Sequence, residues 1–142
     1  MEVRLTPDHL REIEAHGEAS YPNEGGGFLL GSLTDGAFEV TEVLPIDNEW
    51  DAGSQHNRFA IKEQTSMKAQ LAAINRGLDV VGVFHSHPDH PAEPSKWDLK
   101  WATWPNFSFL ITRVDGAKAS LTRAWRLADD RQSYQEDTIL TR

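Results

Sequence analysis

The chain has 142 residues, with 14 Lys and Arg against 22 Asp and Glu, and a formal net charge of −8 at pH 7. That length and a hydrophobic content of 39% fit a single domain over 1–142 with its own core. The acidic balance argues against nucleic acid and anionic lipid as partners, and the absence of Cys excludes disulfides and Cys-ligated metal.

No basic stretch followed by an apolar one opens the chain, and no apolar run approaches the ~20 residues of a membrane span. A cytoplasmic protein without a membrane segment is expected. Thr6-Pro7 reads as an N-cap and first helical residue, opening a short helix to about Gly17 with Leu10 and Ile13 on one side. A loop over 21–27 leads into Phe28-Leu29-Leu30-Gly31, a buried strand, and Thr34-Asp35-Gly36 is a turn. Phe38 to Ile46 is a second strand, and Trp50 to Arg58 is polar and irregular.

Met67, Leu71, Ile74 and Leu78 recur at helical spacing, which predicts an amphipathic helix from about Lys62 to Arg76, ended by Gly77. Val80 to Phe84 is a continuous apolar run, typical of a central strand covered on both faces. His85 to Pro94 reads as a loop and Ser95 to about Trp104 as a helix. Phe107 to Val114, Ala119 to Leu127 and Tyr134 to Leu140 read as late strands. This order suggests an α/β fold, a mixed sheet packed against helices. No feature sets the oligomeric state.

The chemistry concentrates after the apolar strand. His85 and His87, at i and i+2 on extended backbone, point the same way and can bind one ion together. Asp98 lies one helical turn after Ser95 and can turn back to that ion. Two His and one Asp make a three-ligand zinc site with a fourth position open for water, the arrangement of a catalytic zinc. Ser95-x-x-Asp98 is equally a capping box, and the two readings are compatible. An isolated H-x-H is a weak signal; H-x-H, seven residues, S-x-x-D after a buried strand is far more specific.

That motif resembles the signature of the JAMM (MPN+) metalloproteases, the JAB-domain family, in its short prokaryotic form. The segment from Tyr21 to Gly31 is similar to that family's glutamate-bearing loop and first strand. Pro45, Asn48, Arg58-Phe59, Val81-Gly82 and the stretch from Asp98 through Trp104 to Trp125 extend the likeness over nearly the whole chain. Gly26 departs from it, standing where many short bacterial members carry Cys.

The resemblance implies a JAB/MPN fold of cytidine-deaminase-like type. It implies zinc held by His85, His87 and Asp98, Glu24 as general base and Ser95 as oxyanion donor. Spacing alone does not select Glu24 over Glu18, Glu39, Glu42 or Glu49. The implied activity is cleavage after the C-terminal Gly of a ubiquitin-like protein. Eukaryotic deubiquitinating members carry insertions for which this chain is too short, which points to a simpler substrate such as a sulfur-carrier protein with an appended residue or peptide. Two rival classes stay open: a catalytically inactive MPN scaffold, and a zinc amidohydrolase acting on a small molecule.

Among the remaining residues, Gly25-Gly26-Gly27 lacks the Lys and Ser/Thr of a phosphate loop and reads as a turn or close backbone approach. His9, His16 and His56 read as solvated or capping residues, and His90 as a loop residue, with a spare ligand or substrate contact as the second reading. Trp97, Trp101 and Trp104 form a helical face for packing, with a substrate-groove wall as the second reading.

Overall fold

The computed structural model describes residues 1–95 and 106–142. Strand β1 (Glu2–Leu5), which no sequence pattern announces, leads into helix α1 (Pro7–Ser20). The Thr6 hydroxyl accepts the His9 amide N–H at 3.1 Å, while the Thr6 amide donates to His9 Nδ1 at 3.4 Å. This reciprocal cap fixes the helix start as predicted, and makes His9 a capping residue. The helix runs on past Gly17 to Ser20.

The antiparallel pair β2 (Gly26–Thr34) and β3 (Ala37–Ile46) turns through Asp35 and Gly36, both left-handed. A short 3₁₀ turn (Ala52–Ser54) interrupts the irregular segment that follows. Then come α2 (Glu63–Asn75), β4 (Asp79–Pro88), β5 (Ser108–Asp115), β6 (Lys118–Leu127) and β7 (Tyr134–Thr141). The predicted helix after Ser95 lies outside the described residues, and with it Trp97, Asp98, Trp101 and Trp104. No helix among the described residues is long and apolar enough to cross a membrane.

The sheet is mixed, as expected, but it closes into a barrel in the order β1-β3-β2-β4-β5-β6-β7. β1 makes the closure, pairing parallel with β3 on one side and with β7 on the other. β4 and β5 are also parallel, and the remaining pairs are antiparallel.

Alternation along β2 divides the core. Leu29 joins a cluster with Phe38, Phe84, Leu110 and Ile13 of α1, whereas Phe28 and Leu30 face α2. Here the structure corrects the helical stripe predicted for α2. Met67, Leu71 and Ile74 are exposed, and the face turned inward is Ala69 and Ala73. Small side chains let the helix lie close on β2 and β4, while Ile61, Leu78 and Val83 fill the flanks.

A second correction concerns His85 to Pro88, read from sequence as loop. These residues continue β4, because the parallel ladder to β5 holds them through Ile111, Thr112, Arg113 and Val114.

Close approach of backbones makes one glycine indispensable. A Cβ at Gly31 would sit 1.7 Å from the carbonyl oxygen of Glu39, next to an irregularity in the β2–β3 ladder. Gly31→Ala is therefore expected to lower stability by about 3 kcal/mol, since the obstacle is backbone and cannot rotate away. Urea unfolding at constant m-value measures it; a loss below about 0.5 kcal/mol would show that the strands separate freely here.

Candidate metal centre

The site forms where the α1–β2 loop meets the end of β4. Alternation puts His85 and His87 on the same side of the strand as Val83, and Ser86 on the α1 side. Both histidines are buried. Their Nε2 atoms approach to 3.1 Å. Two nitrogens bound to one tetrahedral zinc would stand about 3.3 Å apart, from bonds of roughly 2.0–2.1 Å.

His87 Nδ1 donates to the Pro91 carbonyl at 2.8 Å, which leaves the Nε2 lone pair facing His85. The Glu24 carboxylate, 4% exposed, completes a group whose ligand atoms all lie within 4.8 Å of one another. Two converging imidazole nitrogens and a buried carboxylate are a donor set that fits zinc.

Glu24 is held by its backbone. Its N–H donates to the Gln55 carbonyl at 2.7 Å and its carbonyl accepts from Asn48 Nδ2 at 2.9 Å. The next residue, Gly25, donates its N–H to Ser86 Oγ at 2.9 Å and accepts the Ser86 N–H at 2.8 Å. Ser86 thus ties the glutamate loop to the strand residue lying between the two histidines. Gly26 also has a local reason: a Cβ there would meet the Phe84 carbonyl at 2.4 Å and the Phe59 ring at 2.7 Å. The Phe59 ring lies parallel to that of His85, 6.2 Å away.

The segment after His87 is anchored at several points. Asp89, at φ 57°, accepts the Tyr21 hydroxyl at 2.5 Å and the Gly116 N–H at 3.0 Å. Those two donors hold the Asp89 carboxyl below its usual range, and the same bond pushes the Tyr21 hydroxyl up. Trp125 Nε1 donates to the Ala92 carbonyl, and Arg123 reaches Glu93 while stacking over Trp125. His90 stacks on His87 with ring centroids 4.3 Å apart and bonds the Pro88 carbonyl.

The structure therefore brings together Glu24, His85 and His87. Ser95 is half-buried at the end of the anchored loop, and Asp98 lies outside the described residues. His16 is not a solvated residue: its Nε2 donates to the Ile46 carbonyl and its ring meets Phe84 edge-on. His56 is exposed. The side chains of Ser86, Tyr21 and Asp89 and the backbone carbonyl of Gln55 support the site, and no sequence pattern singles them out. An i+1 Ser between two paired histidines, aimed at the opposite face, was the available signal for Ser86.

Residues 6–128 match the family described as prokaryotic homologs of the JAB domain, and the chain belongs to that family. It is 34% identical over 112 residues to a probable TtuB-protein conjugate cleaving protease of Thermus thermophilus, covering 79% of this chain and 70% of that one. It is 32% identical over 108 residues to a desampylase of Haloferax volcanii, covering 76% and 73%. A CysO-cysteine peptidase of Mycobacterium tuberculosis is 23% identical over 125 residues, covering 88% and 82%.

The solution structure of a protein from Salinibacter ruber matches with a TM-score of 0.77 at 40% identity, over 100% of this chain and 92% of that one. A JAB1/MPN domain protein from Archaeoglobus fulgidus matches with a TM-score of 0.58 at 18% identity over 99% of each chain, a likeness of fold.

Proposed function

We propose that residues 1–142 form one JAB/MPN+ metallopeptidase domain, a cytoplasmic zinc peptidase or isopeptidase. Its substrate is the amide bond after the C-terminal Gly of a ubiquitin-like or sulfur-carrier protein. The convergence of Glu24, His85 and His87 in a buried site carries this reading. The relatives support the substrate class, since by name they include a probable TtuB-protein conjugate cleaving protease and a CysO-cysteine peptidase.

In this reading His85, His87 and Asp98 hold zinc. When bound, the ion supplies Lewis-acid polarisation of the scissile carbonyl and lowers the pKa of the attacking water toward ~7. Glu24 takes the proton of that water and delivers it to the leaving amine. Ser95 donates its hydroxyl to the carbonyl oxygen as negative charge develops there. Glycines before the scissile bond let the tail approach closely, because they carry no Cβ to collide with the channel wall.

Zinc content together with a panel of carrier fusions tests the proposal. Fusions with Gly-Gly before the scissile bond are expected to be cleaved and those with Ala-Ala not. Equal cleavage of both would remove the steric argument. Hydrolysis of small acyl-amino acids alone would make the protein a small-molecule amidohydrolase, and bound zinc with no turnover would leave a scaffold.

Ser95→Ala separates two roles. As an oxyanion donor its loss costs about 10²–10³ in rate. As a helix cap only, its loss costs ~1 kcal/mol of stability with activity kept. Rate and melting temperature of the one variant decide between them.

A further inference from the structure

The irregular segment after β3 makes one unusually complete set of bonds. The Asn48 side chain, half-buried, donates from Nδ2 to the Glu24 carbonyl at 2.9 Å and to the Arg58 carbonyl at 2.8 Å. Its Oδ1 accepts the Trp50 N–H at 3.0 Å and the Ala60 N–H at 3.4 Å. Two carbonyls on one side and two N–H groups on the other fix which way the amide faces. One side chain thus joins the glutamate loop to both arms of the segment, whose tip returns the Gln55 carbonyl to the Glu24 N–H at 2.7 Å.

Gln55 closes the same loop independently, its Nε2 donating to the carbonyls of Asn48 and Trp50. On the other side of Glu24 the chain is fixed to Ser86, between the two histidines. The Glu24–Gly25 peptide is therefore gripped from opposite directions. Asn48 bonds its carbonyl end and Ser86 lies beyond its N–H. The Asn48 bond thus holds the carbonyl adjacent to the Cα that carries the Glu24 carboxylate side chain.

We propose that Asn48 is a positioning residue for Glu24, setting the distance and direction of its carboxylate relative to His85 and His87. This rests on the reading of Glu24 as the general base. Asn48→Asp keeps the shape and both acceptor bonds but replaces the two donated N–H bonds with a carboxylate oxygen facing two carbonyls. A misplacement of about 1 Å costs on the order of 10²-fold in rate.

The experiment compares Asn48→Asp and Gln55→Ala in the zinc-loaded protein. Asn48→Asp is expected to lower kcat on a Gly-Gly carrier fusion by on the order of 10²-fold, with KM and zinc affinity by chelator competition nearly unchanged. The Gly25 amide resonance, which reports the Glu24–Gly25 peptide, should shift in Asn48→Asp and hold in Gln55→Ala. Gln55→Ala removes two bonds of the same segment but not the one to Glu24, so its kcat should stay near that of the unaltered protein.

In a Glu24→Gln background, Asn48→Asp should cost almost nothing more, because residues acting as a unit do not add. Equal kcat losses in the two single variants, or a full additional loss in the Glu24→Gln background, would overturn the proposal. Asn48→Ala is read the same way should Asn48→Asp not fold. Full turnover in Glu24→Gln alone would instead defeat the general-base reading, a separate and recognisable failure.

Discussion

Glu24→Gln is expected to keep one zinc per chain and lose turnover by on the order of 10²–10⁴. The amide is the size of the carboxylate it replaces and sits in the same buried position, so the fold has no reason to change. Backbone bonds to Gln55, Asn48 and Ser86 do not involve the side chain and survive the substitution. What disappears is the ability to accept a proton. Elemental analysis and steady-state kinetics on a Gly-Gly fusion measure both halves. Loss of zinc along with activity would recast Glu24 as a metal ligand, a role that its place within 4.8 Å of both histidine nitrogens also permits. Unchanged turnover would remove it from the chemistry.

The second large effect is on metal content. In the His85→Ala, His87→Ala double variant, zinc should fall from one per chain to essentially none. These two rings supply the nitrogens that converge at 3.1 Å, and alanine offers no donor. The variant should also gain nothing in melting temperature when zinc is added, since stabilisation by a ligand requires that the folded state bind it. Full zinc retention would mean that the ion sits elsewhere, and the assignment of the site would fail with it.

Much of this site was legible because its elements obey local rules. An apolar run followed by His-x-His on extended backbone puts two imidazoles on one side, and that required only strand periodicity. Glu24 was different. A lone carboxylate carries no periodic signal, and only the likeness to a known family selected it. Its burial comes from a loop joined by hydrogen bonds to Asn48 and Gln55, distant residues that no window of sequence contains.

The inward face of α2 departs from the apolar stripe for a physical reason. Hydrophobicity ranks Met67, Leu71 and Ile74 above Ala69 and Ala73, yet the distance between helix and sheet favours alanine at the contact. β1 leaves no sequence signal, because four residues, Glu2 to Leu5, are too few for alternation to stand out. Proline and polar residues make His85 to Pro88 look like a loop in sequence, while the β5 ladder holds them extended.

The closure through β1 bears on self-association. Seven strands share one four-residue seam, and while it holds, β3 and β7 present part of their backbone to a partner within the same molecule. If those four residues fray, two rows of N–H and C=O groups become available to another chain at once, the template from which strand-to-strand aggregation starts. Fraying of this short segment is thus a route to association that the acidic net charge does not by itself close.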